Sequence, residues 1–337
     1  MHRLAKLLLA SGIILGSAAS ANAQVKVVTT IKPVHSLVAA VMEGVGEPAL
    51  MIEGAGSPHN YALKPSQARM LETADVVFWV GPNLETFLEK PLQTIATSAT
   101  AVELFDAGGL VRLPYREGAT FEEHGHHAHD DGHEGHEEGG HGEEHGHDEA
   151  HDHGKKEAHD HGEAGYDSHV WLDPVNAKAM VYEIATRLSA ADPGNAATYE
   201  ANAERTLKRI DTLIAEVKAM IAPVRDKPFV VFHDAYRYFE NRFGLQAAGS
   251  ITLSPEHAPG AERIAEIRDR IAGMSAVCVF SEPQFEPKLV ETVIEGTEAR
   301  NGVIDPLGAD LPAGPDLYFT VIGEMAKSLH TCLSGEG

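Results

Sequence analysis

Two separate parts of this sequence alternate short apolar stretches with helix-like segments, and this alternation limits the chain to a small set of folds. In the first part we predict strands at residues 25–30, 49–52, 76–81 and 101–104, with helices at 35–42 and 66–73. In the second part we predict strands at residues 228–233, 245–251, 276–281 and 301–305, with helices around Phe239 and at 260–272 and 287–295. Apolar strands separated by helices are typical of parallel sheets covered on both faces. We therefore predict an α/β fold of two lobes, each with a mostly parallel sheet flanked by helices.

A long amphipathic segment separates the two parts. Its apolar residues recur every three or four positions between residues 195 and 221, which is the pattern of one helical face. We predict that residues 193–223 form a rigid helix that joins a first lobe of residues 24–192 to a second lobe of residues 224–337. The alternative is an ordinary surface helix of one lobe, since periodicity alone does not place a helix.

The first 23 residues have the organisation of an export signal. Positive charges at His2, Arg3 and Lys6 precede an apolar run at 7–15, and residues 21–23 (ANA) form a small-x-small cleavage site. The apolar run is shorter than the roughly 20 residues that a membrane-spanning helix needs. We expect a protein exported to a bacterial periplasm and cleaved near Ala23.

Two cysteines, Cys278 and Cys332, lie in the C-terminal third of the chain. In an oxidising compartment the simplest prediction is one disulfide that ties the C-terminus to a core strand. Two free thiols are the alternative.

Residues 117–165 interrupt the alternation with a stretch made almost entirely of His, Asp, Glu and Gly. This stretch has 16 acidic residues and two lysines, so it carries −14 of the net charge of −23. With so little apolar content, it cannot offset the entropy lost on ordering, and we predict a disordered loop inserted in the first lobe. The acidic balance of the chain makes nucleic acid an improbable partner and suits cations better.

The histidines of this stretch predict several weak, exchangeable metal sites, because imidazole binds zinc, copper and nickel ions. A solvated spacer without a metal role is the alternative. The thirteen residues are His124, His126, His127, His129, His133, His136, His141, His145, His147, His151, His153, His159 and His161.

Three other histidines are predicted to lie near strand ends, where α/β proteins place their ligands. His59 follows the strand at 49–52, His169 lies in a strand-like segment at 168–172, and His233 ends the strand at 228–233. A zinc ion takes three or four N, O or S ligands. We predict one Zn²⁺ held by these three side chains in the cleft between the lobes. Purely structural roles for the three histidines are the alternative.

Asp305, at the end of the strand predicted at 301–305, is the candidate fourth ligand. Its alternative roles are a carboxylate behind the ligands or a turn residue that binds backbone amides. Of the remaining histidines, we expect His35 at a helix start and His330 in the C-terminal helix, and His257 is a spare candidate ligand.

Five motifs of this chain resemble those of the zinc-specific solute-binding proteins of ABC uptake systems (ZnuA-type, cluster A-I). They are residues 57–66 (SPHNYALKPS), 74–81 (ADVVFWVG), 169–174 (HVWLDP), 232–236 (FHDAY) and 280–285 (FSEPQF). The resemblance covers nearly the whole chain after the export signal. It implies two α/β lobes joined by a rigid helix, metal-ligand roles for His59, His169 and His233, and a nearby carboxylate at Asp305.

The resemblance also bears on which metal is bound. Manganese-type relatives have a carboxylate at the position of His233, and imidazole at that position favours Zn²⁺ over Mn²⁺. Some zinc members have Glu directly before the first histidine, whereas this chain has Pro58 there. The fourth ligand must therefore be Asp305, water or a loop histidine.

Three functions are compatible with these sequence features. The first is a monomeric transport receptor that captures Zn²⁺ and delivers it to an ABC transporter permease with a cytoplasmic ATPase. The second is a zinc hydrolase, although no H-E-x-x-H motif is present. The third is a periplasmic zinc buffer that acts through the His-rich loop.

Overall fold

The computed structural model describes residues 24–116, 165–252, 255, 259–274 and 278–335. The predicted export signal, all thirteen histidines of the His-rich stretch and His257 lie outside the described residues.

The first lobe is built on a sheet of four parallel strands. In chain order these are β1 (Val27–Thr29), β2 (Ala49–Leu50), β3 (Val76–Trp79) and β4 (Thr100–Glu103), arranged β2-β1-β3-β4. Its helices are α1 (Lys32–Met42), α2 (Pro65–Glu72), α3 (Glu89–Thr94) and α4 (Pro174–Ala191). β1 and β3 are buried along their full length, which explains their uninterrupted apolar sequences.

The second lobe repeats this arrangement. Its four parallel strands are β5 (Phe229–His233), β6 (Gly249–Thr252), β7 (Cys278–Ser281) and β8 (Arg300–Val303), in the order β6-β5-β7-β8. Its helices are α6 (Arg237–Phe243), α7 (Ala261–Met274), α8 (Lys288–Ile294) and α9 (Leu317–Ser334). The prediction of two α/β lobes with parallel sheets is confirmed.

Helix α5 (Ala196–Ile221) lies between the two sheets in the chain and matches the predicted joining helix. It packs against α1 and α4 of the first lobe and against α9 of the second. A surface helix of a single lobe is thereby excluded. Its buried face includes Tyr199, Ile210, Val217 and Ile221. These are among the apolar residues that recur every three or four positions in the sequence.

The two lobes share one hydrophobic core. A continuous cluster of buried side chains runs from the first sheet through α1, α4, α5 and α9 to one face of the second sheet. On β5, Phe229 and Val231 face this shared core, whereas Val230 and Phe232 face a smaller cluster with α7 and α8. Because the core is continuous, buried contacts do not mark a boundary between the lobes at residue 192 or 223. The two boundaries therefore stay predictions.

A disulfide joins Cys278 of β7 to Cys332 of α9, as the sequence predicts. It fixes the last helix to a central strand of the second sheet. Within the part of the chain that the structure describes, no helix is both long enough and apolar enough to cross a membrane.

Candidate metal centre

His233 is the last residue of β5, a central strand of the second sheet. β5 pairs with β6 along one edge and with β7 along the other, and the chain after β5 runs to the β6 side. The carboxyl end of β5 therefore opens into a crevice between β5 and β7. Such switch points between strands are where open parallel sheets bind their ligands. The His233 side chain is 4% exposed.

His59 lies in a short 3-10 helix (Pro58–Asn60) after β2. The side chain of Ser57 accepts a hydrogen bond from the backbone N–H of His59, and Pro58 supplies the first helical residue. The buried side chain of Gln67 donates to the carbonyl of Met51 and so fixes the start of this loop. These contacts fix the backbone of the loop at residues 57–59.

His169 does not lie in a strand, and the prediction for residues 168–172 is wrong in this respect. The segment forms a 3-10 helix (Val170–Leu172) directly before α4. Asp167 accepts a hydrogen bond from the backbone N–H of His169 over 3.0 Å, and Asp173 caps the N-terminus of α4. Two aspartates that bind nearby backbone amides favour this turn over an extended strand.

The three imidazoles meet between the lobes. The Nε2 atom of His169 lies 3.1 Å from that of His59 and 3.4 Å from that of His233. One nitrogen of each ring lies within 4.8 Å of the others. Nitrogens bound to a tetrahedral zinc at about 2.0–2.1 Å stand roughly 3.3 Å apart. The group has the spacing of a metal site without further movement of the chain.

The other nitrogen of two of these rings is bound to a buried carboxylate. His169 donates through Nδ1 to Oδ1 of Asp167 over 2.7 Å, and His233 donates through Nδ1 to Oε1 of Glu282 over 2.7 Å. An imidazole that donates through Nδ1 has its lone pair on Nε2. The lone pairs of His169 and His233 therefore approach each other, an arrangement that a cation between them would stabilise.

Burial governs the ionisation of this centre. It lowers the pKa of His59 to about 2, and the nearby His169 and His233 lower it further, so the imidazole is held neutral. Burial raises the pKa of Glu282, and the hydrogen bond from the backbone of His233 opposes that rise. A cation bound by His233 would favour the ionised carboxylate. Burial also raises the pKa of Asp234 to about 6, against the effect of the Arg116 guanidinium.

Apolar side chains and backbone close the centre. Pro58, Trp171, Phe285 and Leu307 line the cavity at the histidines, which measures about 10 Å³. That volume is about one water-sized sphere. The indole N–H of Trp171 donates to the carbonyl of Pro306 across the lobe boundary over 3.0 Å. The described cavity has room for a single ion or water molecule at the histidines.

Comparison with known proteins identifies the family. Residues 27–332 match the family model ZnuA, described as zinc-uptake complex component A, periplasmic. The chain belongs to the ZnuA family. Over 336 residues it is 56% identical to the high-affinity zinc uptake system protein ZnuA of Brucella suis biovar 1, covering 99% of this chain and 100% of that protein. It is 43% identical to the protein of the same name from Paracoccus denitrificans over 339 residues, covering all of both chains.

Solved structures share the fold of this ZnuA-family chain. A crystal structure of ZnuA superposes with a TM-score of 0.71 at 20% identity and covers 92% of this chain and 99% of that one. The match extends over both lobes, so this chain has the fold of that protein.

Asp305, the candidate fourth ligand, is not brought into the group of three histidines. Its Oδ1 accepts hydrogen bonds from the side chain of Gln284 and the backbone of Leu307 and Gly308, over 2.8–3.0 Å. Its Oδ2 accepts from the backbone of Ala309 over 2.5 Å. Both oxygens are thus occupied by a turn, which is the structural role that the sequence left open for this residue.

Asp167 and Glu282 of this ZnuA-family chain have roles that the sequence patterns do not predict. Asp167 stands two residues before His169, a spacing at which a carboxylate can bind both the backbone N–H and the ring of the histidine. Glu282 directly follows β7, the neighbour of the strand that carries His233. An acidic residue at the carboxyl end of an adjacent parallel strand is the signal that could have identified it.

Two other histidines lie where the sequence places them. His35 lies in the first turn of α1 and is buried, with its Nε2 3.1 Å from the carbonyl oxygen of Pro48. Burial lowers the pKa of His35. His330 lies in α9. Neither belongs to the three-histidine group.

Proposed function

We propose that this chain is a periplasmic zinc receptor that binds one Zn²⁺ through His59, His169 and His233 and delivers it to the permease of an ABC transporter. The observation that carries the proposal is the convergence of three Nε2 atoms from two lobes, with Nδ1 of two rings committed to carboxylates. Family membership supports the zinc-uptake role. The export signal at residues 1–23 and a monomeric state belong to the same proposal.

The donor set supports zinc as the cargo. Three neutral imidazoles suit the borderline-soft Zn²⁺, whereas Mn²⁺ prefers carboxylate and water oxygens. Asp305 contributes through the turn that it organises, and the fourth coordination position is left to water or to a residue outside the described parts of the chain. The small cavity favours a receptor over a zinc hydrolase, which would need room for a substrate beside the metal.

The proposal is tested by competition titrations with a zinc chelator. We expect His59→Ala, His169→Ala and His233→Ala each to weaken the tight site by about a hundredfold or more, because each removes one of three ligands. His330→Ala is the matched control, since His330 lies on α9 outside the group. Wild-type affinity in all three ligand variants would overturn the assignment.

A deletion separates this receptor from a buffer that acts through the His-rich stretch. The backbone N–H of Tyr115 donates to the carbonyl of Gly165 over 3.0 Å, so the two ends of the stretch are adjacent. Residues 117–164 can therefore be replaced by a short Gly-Ser linker. We expect one tight zinc site to survive. Loss of the tight site together with the stretch would favour the buffer.

A further inference from the structure

The short helix α6 carries several of the polar contacts that cross between the lobes beside the metal centre. It begins at Arg237, four residues after His233, and a tight turn links them through the backbone N–H of Ala235 and the carbonyl of His233. Phe239 and Phe243 anchor α6 in the shared core. Its polar side chains reach the first lobe on both sides of His169.

The first contact is a buried ion-pair network. Arg116 of the first lobe donates to Oδ1 of Asp234 over 2.7 Å and to Oε2 of Glu240 over 2.6 Å. The side chains of Arg116, Asp234 and Glu240 are 15%, 8% and 2% exposed. Ion pairs this deeply buried are costly to separate, because breaking them leaves an uncompensated charge.

The second contact runs through the hydroxyl of Tyr238. It accepts a hydrogen bond from the backbone of Leu113 over 3.0 Å and donates to the carbonyl of Asp167 over 2.8 Å. Asp167 is the residue that binds the ring of His169. Tyr238 therefore holds the His169 turn from the opposite lobe.

The third contact is a two-point ion pair. Arg242 donates through Nε and Nη2 to the two oxygens of Asp173, each over 2.7 Å. Asp173 is fully buried and caps α4 directly after the His169 turn. Two parallel charge-assisted hydrogen bonds fix orientation as well as distance.

We call these three contacts the α6 seam: Arg116 with Asp234 and Glu240, Tyr238 with Leu113 and Asp167, and Arg242 with Asp173. We propose that Arg116, Tyr238 and Arg242 are positioning residues that hold His233 against His169 and thereby set how fast bound zinc leaves. The inference rests on the proposed zinc site. Separating the two histidines by moving the lobes apart requires these bonds to break, so the seam contributes to the barrier to release.

The test measures the zinc dissociation rate after a chelator is added to the loaded full-length protein. We expect Arg116→Gln and Arg242→Gln to raise the rate by about tenfold or more, because each leaves buried carboxylates without their cation. The milder Tyr238→Phe should raise it by about threefold, since it removes one neutral hydroxyl. Arg116→Lys keeps the charge and should restore part of the slow release seen in wild type.

Arg112→Gln is the matched control. Arg112 lies four residues before Arg116, but its contacts are with Phe105 and Asp106 of its own lobe. Its dissociation rate should stay at the wild-type value. Co²⁺-loaded seam variants should keep the wild-type visible absorption bands, because the ligand atoms are unchanged. A role in stability alone would lower the melting temperature and leave the dissociation rate as it is.

Two results would contradict the proposed role of the α6 seam in zinc release and leave the assignment of the zinc site unaffected. One is a set of folded Arg116→Gln and Arg242→Gln variants that release zinc at the rate of Arg112→Gln. The other, if those variants do not fold, is wild-type release from Tyr238→Phe. Wild-type zinc affinity in His59→Ala, His169→Ala and His233→Ala together would instead overturn the proposed function itself, so the two failures are distinguishable.

Discussion

The Nδ1 atom of His169 lies 2.7 Å from Oδ1 of Asp167, and both side chains are almost fully buried. This contact fixes the ring orientation and leaves the Nε2 lone pair for a metal. The corresponding contact in the second lobe joins His233 to Glu282. Each lobe thus brings a histidine that is already oriented by a carboxylate of the same lobe.

Removal of these carboxylates should weaken zinc binding without removing a ligand. We expect Asp167→Asn and Glu282→Gln to lower zinc affinity by about tenfold, and the alanine variants to lower it by up to about a hundredfold. The amide variants keep an acceptor oxygen but lose the charge-assisted bond. Chelator competition measures the change. Asp192→Asn, at the junction of α4 and α5, is the control; equal effects there would argue against a specific role.

Asp305 should matter more for folding than for zinc coordination. Asp305→Asn keeps an acceptor for the turn at residues 305–309, and we expect its zinc affinity to stay within about threefold of wild type. Asp305→Ala leaves several backbone amides without their acceptor and should lower the free energy of unfolding by about 2 kcal/mol or more. Urea unfolding and zinc titration measure the two effects. A large loss of affinity in Asp305→Asn, with altered Co²⁺ absorption, would instead make Asp305 a ligand.

Zinc affinity should fall as the solution becomes acidic. Protons and zinc compete for the same imidazole nitrogens, so binding should weaken below about pH 6. Burial lowers the pKa of His59 to about 2, so this ring adds little to the competition above about pH 5. We expect the apparent dissociation constant to increase steadily between about pH 7.5 and 5. Chelator competition at each pH measures it, with the chelator's own protonation corrected. An affinity that does not change over this range would contradict histidine ligation.

The buried carboxyl of Glu85 should make the free energy of unfolding depend on pH, whether or not metal is bound. Burial raises its pKa to about 7, while its Oε2 accepts hydrogen bonds from the backbone of Val80 and Gly81. In the unfolded chain the carboxyl has its ordinary pKa of about 4.5, so the folded state holds a proton that the unfolded state loses. This contribution to stability is present below about pH 4.5 and is lost as the pH rises through about 7.

The measurement is urea unfolding of wild type and Glu85→Gln at two pH values. Between about pH 5 and 8.5, wild type should lose about 2.5 kcal/mol more than Glu85→Gln, which does not titrate. Glu53→Gln, an exposed residue, serves as the control. A difference between wild type and Glu85→Gln that is the same at both pH values would show that Glu85 ionises normally.

Much of the fold could be predicted because each local pattern agrees with the tertiary structure. The eight strands predicted for the two sheets all overlap an observed strand, and the disulfide links the two cysteines that the sequence offers. Apolar runs such as the one around Val77 give a strand whether the sheet is known or not, since both faces are buried. The segment at 168–172 was mispredicted, because its apolar residues Val170 and Leu172 are buried in a turn that Asp167 organises.

The sequence by itself determined the chemistry of the candidate site: three imidazoles that follow elements of two α/β lobes, in a ZnuA-family chain. Only the tertiary structure decided which carboxylates serve them. Asp167 and Glu282 bind the histidine rings, whereas Asp305 binds its own turn. The reason is physical: hydrophobic patterning reports which elements form, but the partner of a buried polar atom depends on side-chain distances in the folded chain. His233 and Glu282 meet although 49 residues separate them in the sequence.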